Sequence, residues 1–134
     1  RESAAHPQYQ QAIVAAQGAD TALTCCFDGG WEYSTSRVLR NSTLQRWEAA
    51  GSPPRGARPG EGDAVAVTGD GWEIPRYHIA SAVAGTTGEL EQLAMYAGLG
   101  VGGITCVATV AEILESLAPA RVRPRTAGPI RAHR

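Results

Sequence analysis

The stretch 51–71 constrains the fold of this chain most, because it holds six Gly and three Pro. Such clusters interrupt helices and strands and mark turns. A structureless loop of about twenty residues is uncommon inside a small compact domain, where connections are typically shorter. We therefore predict a long loop at 51–71, with a surface that folds over something outside the chain.

Apolar residues at helical spacing predict several helices elsewhere in the chain. The helix over 89–97 is expected to turn Leu90, Leu93, Ala94 and Ala97 inward. Asn41 or Ser42 is the expected N-cap of a helix that runs to residue 49 or 50. The remaining predicted helices are 3–17, in which Pro7 suits the first turn, and 109–117.

Three short segments are predicted to be extended. Residues 21–27 form the clearest strand, with Leu23, Cys25 and Phe27 on one face. Residues 37–40 and 76–79 are the other two candidates. The expected fold class is therefore an α+β fragment, mostly helical with a few short strands.

Composition excludes several functional classes. The 134 residues suffice for one modest domain, and 12 basic against 13 acidic residues give no chain-wide attraction for nucleic acid or acidic membranes. Residues 119–134 contain five Arg, three Pro and no acid, which predicts a disordered tail. An odd number of cysteines, with Cys25 and Cys26 adjacent, favours buried thiols in a reduced cytoplasm over a disulfide framework or a metal site.

The start of the chain also carries information. Met95 is the only methionine, so Arg1 is not an initiator residue, and we expect a processed chain or a fragment of a longer protein. Residues 1–15 show no secretory signal pattern. Many of the apolar residues are Ala, which makes a sparse core for independent folding.

The glycine cluster at 98–103 has three interpretations. It spells the G-x-G-x-x-G dinucleotide fingerprint, but the predicted helix before it and the lack of an acid about twenty residues later argue against that. Residues 93–111 carry no charge, which would suit a membrane helix, although small residues dominate them and flanking anchors are missing. Close backbone packing, against another element or a flat ligand, is the favoured interpretation.

Several segments, taken together and in order, resemble the C-terminal part of the nitronate monooxygenases, also called 2-nitropropane dioxygenases. The segment 95–102 (MYAGLGVG), followed by 111–114 (AEIL), is similar to the end of that family. Segments 2–9 (ESAAHPQY), 37–41 (RVLRN), 76–77 (RY) and 85–89 (GTTGE) agree in the same order. The resemblance covers residues 1–118.

This resemblance implies a fold and an activity. The family has a flavin-binding (β/α)8 barrel with a smaller substrate domain, and Arg1 would lie just beyond the last barrel strand. The chain would then be the substrate-domain region and the terminal helices, with the barrel and its catalytic His upstream. The implied chemistry is FMN-dependent oxidation of alkyl nitronates by O2 to a carbonyl compound and nitrite.

The resemblance also implies site residues. Tyr96, Gly98, Leu99 and Gly100 correspond to the segment that faces the flavin, and Arg76 and Tyr77 to a segment near the substrate. No catalytic residue and no metal ligand are expected in this chain. Leu99 stands where the family usually has Gln, so a polar contact to the flavin or substrate would be lost.

The resulting prediction is a C-terminal fragment of a cytoplasmic FMN-dependent oxidoreductase, inactive alone, whose partners are FMN, a small nitronate and the missing barrel. Nucleic acid and membrane are not expected partners. One alternative is a non-catalytic interaction module or remnant that docks on a barrel partner. Another is a membrane-associated helical hairpin at 89–118.

Overall fold

The computed structural model describes residues 3–117, which form an α+β fold with three α-helices and two small antiparallel sheets. The tail predicted at 119–134 lies outside the described residues. Within residues 3–117, no helix combines the length and the apolar character that crossing a membrane requires.

The first helix, α1, spans Pro7–Ala15 and is shorter than the predicted 3–17. The residue before a proline avoids helical backbone angles, so His6 is extended and caps the helix by accepting the Gln8 N–H at Nδ1, 3.1 Å away. Ala5 forms a bridge with Val83 in the extended segment before the helix. Pro7 therefore starts the helix rather than lying inside it.

The strands β1 (Thr21–Thr24) and β2 (Ser36–Leu39) form an antiparallel pair, with Ala22 opposite Val38. The prediction of one apolar face through Leu23, Cys25 and Phe27 is wrong, because Leu23 and Cys25 are exposed. β1 ends at Thr24, whose hydroxyl accepts the Cys26 N–H at 3.0 Å. This local turn breaks the period-two alternation before Phe27. Phe27 is buried, but it lies beyond the end of β1 and does not share a strand face with Leu23.

The predicted cap of the second helix is confirmed. α2 spans Ser42–Ala49, and Asn41 Oδ1 accepts the Leu44 N–H at 3.0 Å. The Asn41 amide nitrogen also donates to the Leu93 carbonyl oxygen at 2.9 Å, so the cap ties this helix to a distant segment.

The region 51–71 is not the structureless loop that was predicted. It contains β3 (Ala64–Val67), the centre of a three-stranded sheet that also holds β4 (Glu73–Pro75) and β5 (Thr87–Gly88). The strand predicted at 76–79 is a turn instead, because β4 ends at a proline and Tyr77 has φ of +69°.

The helix predicted at 89–97 is also wrong. Only Leu90–Gln92 form a single 3-10 turn, and the chain then extends beside β2. Leu39 N donates to Met95 O at 2.7 Å and Ala97 N to Arg37 O at 3.1 Å. The periodicity of a short apolar run is compatible with a helix and with a buried strand. Here the segment is extended because the unpaired edge of β2 offers it backbone hydrogen bonds. The four predicted inward residues, Leu90, Leu93, Ala94 and Ala97, are all buried.

The glycine cluster packs closely against the start of the chain, as the favoured interpretation expects. It forms a 3-10 turn, Leu99–Gly103. A Cβ on Gly18 would lie 2.6 Å from the Leu99 carbonyl oxygen, and one on Gly102 would lie 2.5 Å from Gln17 Oε1. Gly18 therefore has no room for a side chain, because the atom it would meet belongs to the backbone, whereas a side chain at Gly102 would require the Gln17 side chain to move.

The last helix, α3, spans Val110–Leu117 and confirms the predicted helix at 109–117. Its apolar residues are exposed, with Leu114 at 62% and Leu117 at 73%. The buried core lies elsewhere, in three clusters centred on Phe27 and Leu44, on Ile74 and Leu93, and on Leu39 and Met95.

Candidate functional site

Tyr96 makes hydrogen bonds through both its hydroxyl and its backbone carbonyl, and the residue is 38% exposed. Its hydroxyl donates to the Ile79 carbonyl oxygen at 2.7 Å, and its own carbonyl oxygen accepts from the Tyr9 hydroxyl at 2.8 Å. A backbone bridge to Val38 fixes it beside β2. Burial raises the pKa of the Tyr96 hydroxyl, so this group is a hydrogen-bond donor and not a base at neutral pH.

The predicted cofactor-binding residues Tyr96, Gly98, Leu99 and Gly100 are neighbours and all four are exposed. A Cβ added to Gly98 or Gly100 would meet nothing within 4 Å. The side chain of Leu99 is 67% exposed, although its carbonyl lies against Gly18. One side of this turn is therefore packed against the chain, and the other is open to a ligand or a partner.

An open groove of about 600 Å³, which we call the aromatic groove, borders Tyr96. Residues 31–36 and Ile79 form its other walls. Trp31 and Tyr33 are 71% and 89% exposed, and Tyr33 has φ of +60°, a strained backbone conformation for a bulky residue. The volume falls within the range of small-molecule sites. Tyr96 is the one predicted site residue that lines it.

Three polar side chains that line the aromatic groove, Glu32, Ser34 and Tyr96, already have partners in the chain. Ser34 Oγ donates to the Phe27 carbonyl oxygen at 3.3 Å, and Glu32 Oε1 accepts from Arg55 at 2.7 Å. Ser36 Oγ differs, because it is buried and has no hydrogen-bond partner among residues 3–117.

Arg76, predicted near the substrate, is turned into the protein, and its side chain is 8% exposed. Its Nη1 donates to Gln92 Oε1 and to Thr43 Oγ1, and its Nη2 lies 3.9 Å from an Asp63 carboxylate oxygen. These contacts join α2, the loop before β3 and the 3-10 turn at Leu90–Gln92. They give Arg76 a structural task within residues 3–117.

Tyr77, the other residue predicted near the substrate, is 2% exposed. Its hydroxyl donates to the Pro59 carbonyl oxygen at 2.9 Å, and the Arg58 guanidinium lies 5.4 Å from its ring centre. Burial raises the pKa of the Tyr77 hydroxyl. Neither Arg76 nor Tyr77 lines the aromatic groove, so the structure does not bring the two predicted groups of site residues together.

A buried ion pair that the sequence did not reveal joins Arg58 to Asp28. Arg58 Nη1 donates to Asp28 Oδ1 at 2.6 Å and Arg58 Nη2 donates to Asp28 Oδ2 at 3.1 Å. The side chains of Arg58 and Asp28 are 5% and 8% exposed. Arg58 also donates to the Cys26 carbonyl oxygen at 3.2 Å. This hydrogen bonding lowers the pKa of Asp28, and burial raises the pKa of the Cys26 thiol to about 12. The only local signal was the presence of two Arg residues, Arg55 and Arg58, among the Gly and Pro of 51–71.

Sequence reasoning missed the residues of the aromatic groove. Trp31, Tyr33 and Ser36 lie in a segment with no regular pattern, and a groove depends on which residues face one another across the fold. The aromatic residues next to Gly29-Gly30 were the only local hint. Within the part of the chain that the structure describes, no three His, Cys, Asp or Glu side chains are grouped to hold a metal ion.

No protein-family model matches the chain, and no curated protein matches it. The residues, their geometry and the motif resemblance therefore carry the functional proposal.

Proposed function

We propose that this chain is the C-terminal part of an FMN-dependent oxidoreductase similar to the nitronate monooxygenases, which oxidise alkyl nitronates with O2 to a carbonyl compound and nitrite. The single observation that carries the proposal is the open side of the turn at 98–100, next to the half-exposed Tyr96. These are the residues that the motif resemblance assigns to the flavin.

The residues at this turn fit the ring of FMN but not its phosphate. The open space at Gly98 and Gly100 lets a flat ring approach the backbone closely, and the exposed Leu99 offers an apolar contact. None of Tyr96, Gly98, Leu99 and Gly100 carries a positive charge for a phosphate, which we assign to barrel loops outside this chain. Bound FMN would supply the electron transfer, while these residues position the ring and exclude water.

The first test is FMN binding. The 134-residue chain alone should not bind FMN appreciably, whereas the longer protein encoded with the upstream DNA should carry it and release nitrite from propane-2-nitronate. FMN fluorescence on titration measures the first, and oxygen uptake with nitrite formation the second. Saturable binding by the short chain at low micromolar FMN would contradict the fragment assignment.

A matched pair of variants tests the surface in the longer protein. Gly100→Val should weaken FMN binding at least about tenfold by occupying the space for the ring, a cost of about 1.4 kcal/mol. Gly103→Val adds the same side chain at a position that is equally open, three residues on, and should leave FMN affinity unchanged. Equal affinities for both variants would remove the turn from the site.

A non-catalytic docking module is the second candidate, and one observation favours it. The α3 residues Ile113, Leu114 and Leu117 expose apolar side chains. Exposed patches of this kind often mark protein contacts. If the longer protein neither binds FMN nor oxidises nitronates, while Leu114→Ser abolishes its association with a barrel partner, the docking role replaces the oxidoreductase.

A further inference from the structure

We propose that the aromatic groove binds a flat aromatic ring that carries an oxygen acceptor. Taken with the proposed function, on which this proposal rests, such binding makes the substrate an aryl-substituted nitronate in preference to a small alkyl one. The groove adjoins Tyr96 and so lies beside the surface assigned to the flavin.

The aromatic side chains of the groove point to a ring-shaped ligand. Trp31, Tyr33 and Tyr96 line one groove of about 600 Å³, and the first two are more exposed than large aromatic residues usually are. Aromatic pairs stabilise each other beyond the area they bury. The positive φ of Tyr33 adds backbone strain, which in proteins concentrates at ligand sites and switches.

Three of the polar side chains that line the groove already have partners. Glu32 is paired with Arg55, Ser34 Oγ donates to the Phe27 carbonyl oxygen, and the Tyr96 hydroxyl donates to the Ile79 carbonyl oxygen. Trp31, Tyr33 and Thr35 are further exposed residues of the lining that carry polar groups. A sugar also stacks on aromatic rings, and it is the competing ligand that the experiment below distinguishes.

Ser36 offers a buried hydroxyl for a hydrogen bond to the ligand. Its Oγ is buried without a partner among residues 3–117, and Ser36 lines the groove. A buried hydroxyl without a partner is unfavourable, and a serine side chain can change between staggered positions. Because Ser36 lines the groove, we expect its hydroxyl to donate to an oxygen of the ligand, such as a nitronate oxygen. The other two buried side-chain atoms that lack a partner among residues 3–117, Arg58 Nε and Arg76 Nε, belong to residues outside the lining of this groove.

The experiment uses the three tryptophans of the 134-residue chain as reporters. Phenylnitronate is titrated into the ¹⁵N-labelled chain, and the three indole N–H signals are followed by NMR. Only the Trp31 signal should shift, because neither Trp47 nor Trp72 lines the groove. The Trp47 indole N–H, moreover, already donates a hydrogen bond to the Pro53 carbonyl oxygen. Propane-2-nitronate, which has the same head group without a ring, should bind at least about tenfold more weakly.

Variants check the assignment. Trp31→Ala and Ser36→Ala should each weaken phenylnitronate binding about tenfold, while the control Trp72→Ala should not change it. Equal binding of the two nitronates, tighter binding of methyl glucoside, or no shift at millimolar phenylnitronate would each overturn the proposal. A melting temperature within a few degrees of the parent chain shows that a variant is folded.

The two proposals fail separately. The NMR titration needs neither FMN nor a barrel, so ring binding by a chain whose longer form lacks FMN would overturn the proposed function alone. A longer protein that oxidises propane-2-nitronate but not phenylnitronate would overturn the ring preference alone.

Discussion

The ion pair between Arg58 and Asp28 should be the most sensitive single interaction in the described fold. Both side chains are over nine-tenths buried, and two hydrogen bonds join them. In Arg58→Met, the Asp28 carboxylate would stay buried without its partner. Such a loss costs about 3–5 kcal/mol, against a total stability of about 5–15 kcal/mol for a typical domain.

The chain offers a matched control in the exposed pair Arg55–Glu32, whose side chains are 48% and 66% exposed. Arg55→Met removes the same group at a distance of 2.7 Å from its carboxylate, yet should cost only about 0–1 kcal/mol. Urea unfolding, followed by tryptophan fluorescence, measures both losses on the same scale.

A double-mutant cycle separates the ion pair from the other contacts of Arg58, which also donates to the Cys26 carbonyl and lies over the Tyr77 ring. Adding Asp28→Asn to Arg58→Met should recover part of the loss, with a coupling of about 1–3 kcal/mol. Equal losses for the Arg55 and Arg58 variants, or a coupling near zero, would refute the prediction that the buried Arg58–Asp28 pair is the most sensitive single interaction in the described fold.

Three further predictions concern stability. Gly18→Ala should lower the free energy of unfolding in urea by about 1–3 kcal/mol, because its Cβ would meet the Leu99 carbonyl. The control Gly98→Ala should change stability by less than about 0.5 kcal/mol, because a Cβ there would meet nothing. Equal effects would contradict the close packing of Gly18 against Leu99. Leu99→Gln should be similarly neutral in this chain, since Leu99 is exposed, and a loss above about 1 kcal/mol would place it in the core. Burial lowers the pKa of His78, whose Nδ1 accepts the Ala80 N–H. The neutral imidazole therefore contributes fully to the unfolding free energy above the unfolded pKa of about 6.5, and this contribution is lost as the pH falls below that value. His78→Asn should flatten the decline in unfolding free energy between about pH 7.5 and about pH 5.5, and an unchanged slope would exclude His78 as the cause.

Local chemistry was enough to predict the helix starts and caps. Asn41 caps α2 and Pro7 starts α1 because each preference acts within one turn of backbone. The burial of Leu90, Leu93 and Ala94 was also predictable, since apolar side chains leave water whatever the backbone does.

The secondary structure around those same residues was not predictable. Residues 93–97 are extended because β2 offers them free backbone partners, and this partner lies more than fifty residues earlier in the chain. β3 forms inside the predicted loop because β4 and β5 flank it. The pairing with β4 is local, but the pairing of Ala66 with Gly88 in β5 joins more distant parts of the chain.

The site divides in the same way. The motif resemblance in the sequence assigned Tyr96 and the glycines that follow it to a flat cofactor, and this assignment stays a prediction. Only the tertiary structure decided that Arg76 and Tyr77 point inward, that Arg58 finds Asp28, and that Trp31 and Ser36 face Tyr96 across a groove. The physical reason is that exposure, ion pairing and the shape of a groove depend on residues brought together from distant parts of the chain, whereas propensity and capping depend on neighbours.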